Sequence, residues 1–382
     1  MKMAKVAFSE KYIYQLPEGH RFPIAKYKRI VDKLLEGKII GPNHVFDPGM
    51  IGREVLLAHD IEYYNKVVQL ALGADEIRKR GVPLHETSVN RALNSVAGTL
   101  RSAENAANKE TIYGDTGFEI NTEYQKSKED GNPIVNRALR EGSESKSDDQ
   151  SKTGPGVKAN PASKLGPELT PDVESKENPR SKADPEGSNT RLGITIGGGY
   201  HHAFYDHGEG FCIFNDLAIT ARYLIDKGLA KRILIIDLDV HQGNGTASIL
   251  NKDHNLFTFS MHGSKNYPAK KQASDYDLDL PDGTGDKDYL YNLEFALDSI
   301  LKQFTPDHIL YQGGVDVLQS DQLGRLGLTM KGCKKRDEIV FNTIRSLDIP
   351  STLTLGGGYS RDINVIIQAH VNTISTALDI LG

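Results

Sequence analysis

The sequence of 382 residues predicts a single α/β domain, built on a mostly parallel, doubly wound sheet and interrupted by a long insertion. The first observation is that short apolar runs are continuous rather than alternating, which is typical of strands buried on both faces. The second is that segments of helical period separate these runs, as in a parallel sheet whose crossovers are helices. The third is a long stretch of low complexity that is poor in apolar residues.

The predicted strands are apolar runs, each followed by polar or glycine residues. They are Lys5–Phe8, Glu54–Asp60, Leu192–Gly199, Arg232–Val240, Leu256–His262, His308–Asp316 and Ser351–Gly358. The predicted helices lie at 23–36, 61–72, 88–106, 216–228, 287–303, 332–346 and 361–380. Asp60 is interpreted as the N-cap of the second helix, because a carboxylate accepts hydrogen bonds from the free N–H groups of the first turn.

The segment 107–189 is predicted to be a disordered insertion, so that 1–106 and 190–382 form the folded domain. From Gln125 to Gly199 the sequence contains no Phe, Tyr or Trp. Between Glu141 and Asn189 only four apolar branched residues occur, too few to offset the entropy lost on ordering that stretch. A solvated insertion is the simpler interpretation, and an arm that binds a protein partner is the alternative.

Composition excludes several classes of protein. The chain has 46 Lys and Arg against 51 Asp and Glu, a net charge of −5, which does not favour direct binding of nucleic acid. Two cysteines, Cys212 and Cys333, exclude a disulfide scaffold and indicate a reducing compartment. The sequence has no apolar stretch long enough to span a membrane and no signal peptide, so we expect a soluble, cytoplasmic protein without a membrane partner.

Polar residues that could bind a metal follow two of the predicted strands. Asp239 and His241 are two residues apart, so in an extended segment their side chains leave on one face, about 6 to 7 Å apart. Asp316, at the end of another strand, would supply a third ligand. Three protein ligands and an open position are the arrangement of a catalytic zinc site, although two carboxylates and no thiolate would also suit Fe²⁺ or Mn²⁺.

A pair of histidines could move protons beside that metal. His201 and His202 are adjacent, and the three glycines before them, Gly197–Gly199, permit the irregular backbone that would turn both rings to one site. Asp237 could orient His201, and Tyr359 could polarise a carbonyl held against the metal. The chemistry that this set predicts is hydrolysis of an amide or an ester.

Five sequence blocks now carry a family resemblance. They are GGGYHHA (Gly197–Ala203), GEGFCIFND (Gly208–Asp216), DLDVHQGNGTA (Asp237–Ala247), GGVDVLQSDQLG (Gly313–Gly324) and LGGGY (Leu355–Tyr359). In this order they resemble the zinc-dependent histone deacetylase family, nearest its class IV and bacterial branch, over nearly the whole chain outside the insertion. The resemblance implies the arginase/deacetylase fold and hydrolysis of the N-acyl amide of acyl-lysine in proteins or peptides.

Carried over residue by residue, the resemblance assigns roles to three groups of side chains. The zinc ligands would be Asp239, His241 and Asp316. The base and acid pair would be His201 and His202, and the carbonyl polariser would be Tyr359. The resemblance also implies a narrow substrate channel, lined by Gly210, Phe211 and Tyr267, and a structural K⁺ or Na⁺ held near Asp237 and Ser260.

One position departs from the commonest family pattern, and one further segment resembles it. Asn244 stands where many members have an aspartate behind the second histidine, and an uncharged amide should raise the pKa of His202 less than a carboxylate would. Which histidine takes the proton therefore stays open. The segment Leu16–Tyr27 resembles the family's HPxRPxR segment, with Lys26 at the last basic position, which implies a role for Lys26 in the exit of acetate.

The sequence also permits other functions. The same fold could bind acyl-lysine without turnover, or it could deacetylate polyamines and other small amides. Glycine runs like the one before His201 also occur in phosphate loops, but no Lys-Ser or Lys-Thr follows this one. His59 and His262 are interpreted as structural groups rather than ligands.

Overall fold

The computed structural model describes residues 4–107, 191–251 and 253–382. The predicted insertion, except for Ala107, lies outside the described residues. In the described part of the chain, the α/β prediction is confirmed: eight strands form one parallel sheet, and helices cover both of its faces.

The strands are short, as is usual for a parallel sheet. They are β1 (Lys5–Ala7), β2 (Val45–Phe46), β3 (Leu192–Thr195), β4 (Ile233–Asp237), β5 (Leu256–Gly263), β6 (Tyr276–Leu280), β7 (His308–Gln312) and β8 (Ser351–Thr354). Their order across the sheet is β2-β1-β3-β8-β7-β4-β5-β6. β8, the last strand in the chain, therefore lies in the middle of the sheet.

The helices of the described residues are mostly amphipathic. They are α1 (Lys26–Glu36), α2 (Ile61–Val68), α3 (Ala74–Arg80), α4 (Glu86–Ala107), α5 (Asp216–Asp226), α6 (Asn244–Leu250), α7 (Asp286–Gln303), α8 (Met330–Leu347) and α9 (Ile363–Leu381). None of them is long and apolar enough to pass through a lipid bilayer.

Strand β4 shows how the sheet separates two cores. Its residues Leu234 and Ile236 pack into one core, with side chains of α1, α7, α8 and α9. Ile233 and Ile235 point to the other face and pack with α2, α4, α5 and α6. Because successive side chains of a strand leave on opposite faces, a continuous apolar run is what this doubly covered position requires.

Side chains that cap the helices explain several boundaries. Asp60 accepts hydrogen bonds from the N–H groups of Glu62 and Tyr63, at 2.9 and 3.1 Å, which confirms it as the N-cap of α2. Asn215 caps α5 in the same way through the N–H of Ala218, at 2.9 Å. These caps satisfy N–H groups that have no partner within the helix.

Some predicted elements were wrong or missed. The apolar run Glu54–Asp60 is not a strand, because the chain forms a 3₁₀-helix over Arg53–Leu57. The prediction missed the edge strands β2 and β6, of which β6 is half exposed and reads YDLDL. It also missed the short helices α3 and α6, each of seven residues.

Candidate active site at the carboxyl edge of the sheet

The candidate residues follow strands that lie side by side at the carboxyl edge of the sheet. Asp237 ends β4 and is in register with Gln312 of β7 and with Ser260 of β5. Thr195 of β3 is likewise in register with Thr354 of β8. The segments that leave β3, β4, β7 and β8 are therefore brought to one place, where ligand sites of open α/β sheets lie.

Asp239, His241 and Asp316 form one buried cluster. One ligand atom of each lies within 4.8 Å of the others. His241 Nδ1 is 3.1 Å from Asp239 Oδ1 and 3.2 Å from Asp316 Oδ2. The segment is not extended as predicted, because β4 ends at Asp237. The backbone bends instead, and the N–H of His241 donates to Asp239 Oδ1 at 3.0 Å.

Backbone N–H groups hold the two carboxylates of this cluster. The N–H of Gly357 donates to Asp239 Oδ2 at 2.8 Å, and the N–H of Val240 donates to Asp316 Oδ1 at 2.9 Å. The second oxygen of Asp316, Oδ2, is buried and accepts no hydrogen bond of good geometry, although His241 Nδ1 lies 3.2 Å away. A Cβ at position 357 would collide with that oxygen, so only glycine fits beside it.

The chemistry of this cluster fits a divalent cation. Burial and the negative charge of Asp239 raise the pKa of the Asp316 carboxyl to about 7. Burial opposes a charge on His241, but its close contacts with the carboxylates of Asp239 and Asp316 outweigh this and raise its pKa to about 10. Two carboxylates buried in one cluster, with oxygens within 4.8 Å of each other, need a positively charged partner. One imidazole nitrogen and two carboxylate oxygens suit zinc and Fe²⁺ alike.

His201 and His202 lie against each other, with ring centroids 4.0 Å apart. The glycines before them adopt the predicted irregular backbone, because Gly198 and Gly199 have φ angles of 85° and 82°. Both imidazoles are buried. The two residues therefore reach one site although they are neighbours in sequence.

The two imidazoles have different hydrogen-bond partners. His201 Nδ1 lies 2.7 Å from Asp237 Oδ2, and His202 Nδ1 lies 2.6 Å from Asn244 Oδ1. Burial favours neutral His201, but the charges of the nearby carboxylates outweigh it and raise the pKa of His201. Burial and the charge of His201 hold the pKa of His202 well below its ordinary value. His201 therefore favours the protonated, charged form, and His202 favours the neutral form.

Tyr359 is half-buried near the cluster. Its ring centroid lies 6.3 Å from that of His241 and 6.1 Å from that of Phe211. The N–H of Tyr359 donates to Asp321 Oδ2 at 2.6 Å, which fixes the backbone here. Burial and the charge of Asp239 raise the pKa of the Tyr359 hydroxyl, so it keeps its proton and can donate a hydrogen bond.

Of the three residues expected to line a channel, Gly210 and Tyr267 lie against His202, and Phe211 lies beside Tyr359. A Cβ at Gly210 would collide with the His202 ring. Phe211 has a φ angle of 69°, a left-handed conformation that is uncommon for a side chain of this size. Tyr267 meets the His202 ring edge-on, with centroids 4.9 Å apart, and its hydroxyl donates to the carboxylate of Glu209.

The residues expected to hold a monovalent cation or to assist product release lie behind this site. Asp237 and Ser260 are neighbours across β4 and β5. Lys26 is fully buried, and its Nζ donates to the carbonyl of Gly356 at 2.8 Å. Burial lowers the pKa of Lys26 to about 8.

The structure also reveals contacts that the sequence analysis missed. Gln312 Nε2 lies 3.1 Å from His201 Nδ1. Asp216 accepts hydrogen bonds from the N–H groups of Gly199 and Tyr200, at 2.9 and 2.7 Å, and so fixes the backbone before the histidines. Asp216 is the last residue of GEGFCIFND, one of the five blocks that resemble the family, and that block was the signal that could have identified it. No spacing signal in the sequence points to Gln312.

A comparison with known families decides where the chain belongs. The family described as Histone deacetylase domain matches residues 20–374. The chain belongs to the histone deacetylase family. The five sequence blocks therefore identified the family correctly, and the predicted fold is the fold of this family.

Two relatives and one solved structure illustrate the breadth of the histone deacetylase family. An uncharacterized protein of Picosynechococcus is 32% identical over 366 residues, covering 96% of this chain and 95% of the relative. Histone deacetylase 2 of Arabidopsis thaliana is 34% identical over 185 residues, 48% of each chain. The crystal structure of the HDA15 HD domain has a TM-score of 0.65 at 19% identity, covering 100% of this chain and 90% of that one, and it shows the shared fold.

Proposed function

We propose that the protein is a zinc-dependent deacylase that hydrolyses the N-acyl amide of acyl-lysine in proteins or peptides. One observation carries this proposal: Asp239, His241 and Asp316 meet within 4.8 Å. Membership of the histone deacetylase family supports the reaction, and Arabidopsis Histone deacetylase 2 is a relative whose name states it. Fe²⁺ would fit the same three ligands.

Asp239, His241 and Asp316 would hold the cation through two carboxylate oxygens and one imidazole nitrogen. A divalent cation in that position would polarise the amide carbonyl and lower the pKa of a water molecule. The buried surroundings of the three side chains strengthen every such electrostatic interaction.

We assign the role of general base to His202. Its Nδ1 faces the amide oxygen of Asn244, which only accepts a hydrogen bond, so the neutral ring carries its proton on Nδ1. Nε2 then has a free electron pair. It would take a proton from water as the water oxygen bonds to the carbonyl carbon.

We assign the role of general acid to His201. Its Nδ1 faces the carboxylate of Asp237, which favours the charged imidazolium. When the C–N bond breaks, His201 would give a proton to the lysine nitrogen, leaving an amine and a carboxylic acid, and the acid would then pass its proton to the amine to give an ammonium and a carboxylate. Transfer of a proton from His202 to His201 then restores both rings for the next turnover.

Tyr359 would donate a hydrogen bond to the carbonyl oxygen while negative charge develops on it. Lys26 would attract the carboxylate product, since its ammonium group is buried behind Gly356. Gly210, Phe211 and Tyr267 would form the channel wall, and Asp237 and Ser260 would hold a monovalent cation.

The test is a panel of acyl-lysine peptides with acetyl and longer acyl groups, assayed with added Zn²⁺ or Fe²⁺ and with a chelator. We expect turnover that the chelator removes and the metal restores. Asp239→Asn should abolish turnover, whereas Asp298→Asn, a change at an exposed carboxylate of α7, should leave it unchanged. Binding of the peptides without turnover under every metal would instead identify a non-catalytic acyl-lysine module.

Acetylated polyamines are a second candidate substrate, and Glu209 favours them. Its carboxylate accepts a hydrogen bond from Tyr267 beside the expected channel, where it could attract a cationic amine. Including acetylated polyamines in the panel separates the two substrates. Preference for the polyamine, lost in Glu209→Gln, would support the second candidate.

A further inference from the structure

Arg336 lies fully buried behind the candidate metal cluster, on helix α8. Its guanidinium Nη1 donates to the carbonyl of Leu238 at 3.3 Å and also to the carbonyl of Gly314. Leu238 directly precedes Asp239, and Gly314 lies two residues before Asp316. One side chain therefore bonds to both segments that carry the cluster.

The sheet does not join the backbones of these two segments, whose other direct contacts pass through the Asp316 side chain: the N–H of Val240 donates to Oδ1, and His241 Nδ1 lies 3.2 Å from Oδ2. The register between β4 and β7 ends at the pair Asp237 and Gln312. Beyond it, the N–H of Leu238 donates to the carbonyl of Gln312 at 3.1 Å, and no further rung of the sheet follows. Arg336 connects the backbones of the two segments at the point where they leave the sheet, through the carbonyls of Leu238 and Gly314.

A network of buried side chains fixes the guanidinium in turn. Asp337 accepts from Arg336 Nε at 2.9 Å and from the Tyr311 hydroxyl at 2.6 Å through the same oxygen, Oδ1. Its other oxygen accepts from Thr373 Oγ1 at 2.6 Å. Tyr311 belongs to β7 and Thr373 to α9, so the network ties α8 to the sheet and to the neighbouring helix.

Stability alone is a weak reason for this network. Taking a guanidinium and a carboxylate out of water is costly, and apolar side chains of similar size often stabilise a core as well or better. The surroundings are suited to such a replacement, because Phe341 and Tyr311 pack edge to face here with centroids 5.5 Å apart. What an apolar side chain could not supply is a pair of hydrogen bonds to the carbonyls at 238 and 314.

We propose that Arg336 is a positioning residue for the metal site: it fixes the spacing between the Asp239–His241 segment and Asp316. This inference rests on the proposed function only in that the cluster binds a divalent cation. Arg336 touches neither the cation nor the substrate. It acts through the backbone of the two segments, as outer partners of metal ligands commonly do.

The experiment measures binding of Zn²⁺ alone by competition with a chelator, and the visible absorption of the Co²⁺-loaded protein. Replacing Arg336 by Met should weaken Zn²⁺ binding by about 10- to 100-fold and change the Co²⁺ spectrum. The matched control is Arg222→Met. The Arg222 guanidinium also bonds two carbonyls, those of Leu57 and Ile249, both at 2.8 Å, but neither belongs to the two cluster segments. This control should leave Zn²⁺ affinity and spectrum unchanged.

A second variant covers the case in which Arg336→Met does not fold. The double change Arg336→Met with Asp337→Leu removes both buried charges together, which avoids leaving an unpaired carboxylate. We expect the same loss of Zn²⁺ affinity in a protein with native circular dichroism. Arg336→Lys keeps the charge but loses the Nε–H donor that bonds to Asp337 and fixes the side chain, so it should recover only part of the affinity.

The outcomes separate this inference from the proposed function. Folded variants that bind Zn²⁺ as tightly as wild type, with an unchanged Co²⁺ spectrum, would overturn the role of Arg336 and leave the deacylase proposal standing. Wild-type protein that binds Zn²⁺ but hydrolyses no acyl-lysine would overturn the deacylase proposal alone. Wild-type protein that binds no divalent cation would overturn both.

Discussion

Replacing His59 by Gln should remove a measurable part of the acid sensitivity of this fold. His59 is buried, and its Nε2 accepts a hydrogen bond from the N–H of Asn215 at 2.8 Å. Asn215 in turn donates from Nδ2 to the carbonyl of Ala203, the residue after the histidine pair, at 3.1 Å. Protonation of Nε2 would break the first of these bonds. A glutamine oxygen can accept the same bond without titrating.

The expected magnitude follows from the pKa of His59, which burial lowers to about 3. An unfolded histidine titrates near 6.5, so between these values the unfolded chain binds the extra proton. The stabilisation is therefore complete above about pH 6.5 and is lost as the pH falls toward 3. At pH 5 the loss is about 2 kcal/mol, from about 1.5 pH units at about 1.4 kcal/mol each.

The assay is denaturant unfolding of wild type and of His59→Gln at pH 8 and pH 5. The drop in unfolding free energy between the two pH values should be smaller in the variant by about 2 kcal/mol. The control is His254→Gln, a change at an exposed histidine. This variant should lose as much unfolding free energy between pH 8 and pH 5 as wild type does. If His59→Gln loses as much stability on acidification as wild type, the assignment of His59 as a buried neutral group is wrong.

Three further predictions concern the site and the insertion. Tyr359→Phe should lower kcat by about 10²- to 10³-fold, as the loss of one oxyanion donor does, with little change in KM in steady-state kinetics. Gly357→Ala should lower Zn²⁺ affinity in the chelator competition, because its Cβ would collide with Asp316 Oδ2. The matched control Gly285→Ala should keep that affinity, because φ is −94° there and the added Cβ meets its nearest atom only at 4.0 Å. Deletion of 141–189 should leave peptide hydrolysis within about two-fold of wild type if the segment is only solvated; a larger loss would favour an arm that contributes to substrate binding.

The centre of the fold could be predicted from the sequence because both faces of its strands are buried. β4, β5 and β7 read as continuous apolar runs, and that pattern has few alternatives once helical segments flank it. The run Glu54–Asp60 shows the limit of this reasoning. A short apolar run looks the same in a buried strand and in a buried 3₁₀ turn, and only the partners of its backbone groups distinguish them. β6 was missed because it is an edge strand with one face exposed to solvent. Its sequence, YDLDL, therefore alternates charged and apolar residues instead of forming a continuous apolar run.

The candidate site could be predicted where chemistry follows a strand directly. Asp239, His241 and Asp316 come immediately after buried runs, and the parallel sheet brings such positions to one edge. Arg336 could not be predicted in this way. It lies 98 residues from Leu238 in sequence and in the interior of a helix, where an arginine ordinarily faces solvent. Contacts of this kind depend on how α8 packs, and no local spacing in one sequence encodes it.

The central place of β8 has a consequence for how the chain matures on the ribosome. Until residues 351–354 are made, β3 can pair only with β1 and β7 only with β4, so any sheet that the nascent chain forms consists of two separate halves. Insertion of β8 joins the two halves and places Gly357 and Tyr359, which follow β8 in the chain, at the candidate site. Truncated translation products that lack β8 are therefore expected to be catalytically inactive. They would expose two unpaired strand edges that chaperones and quality-control proteases can recognise.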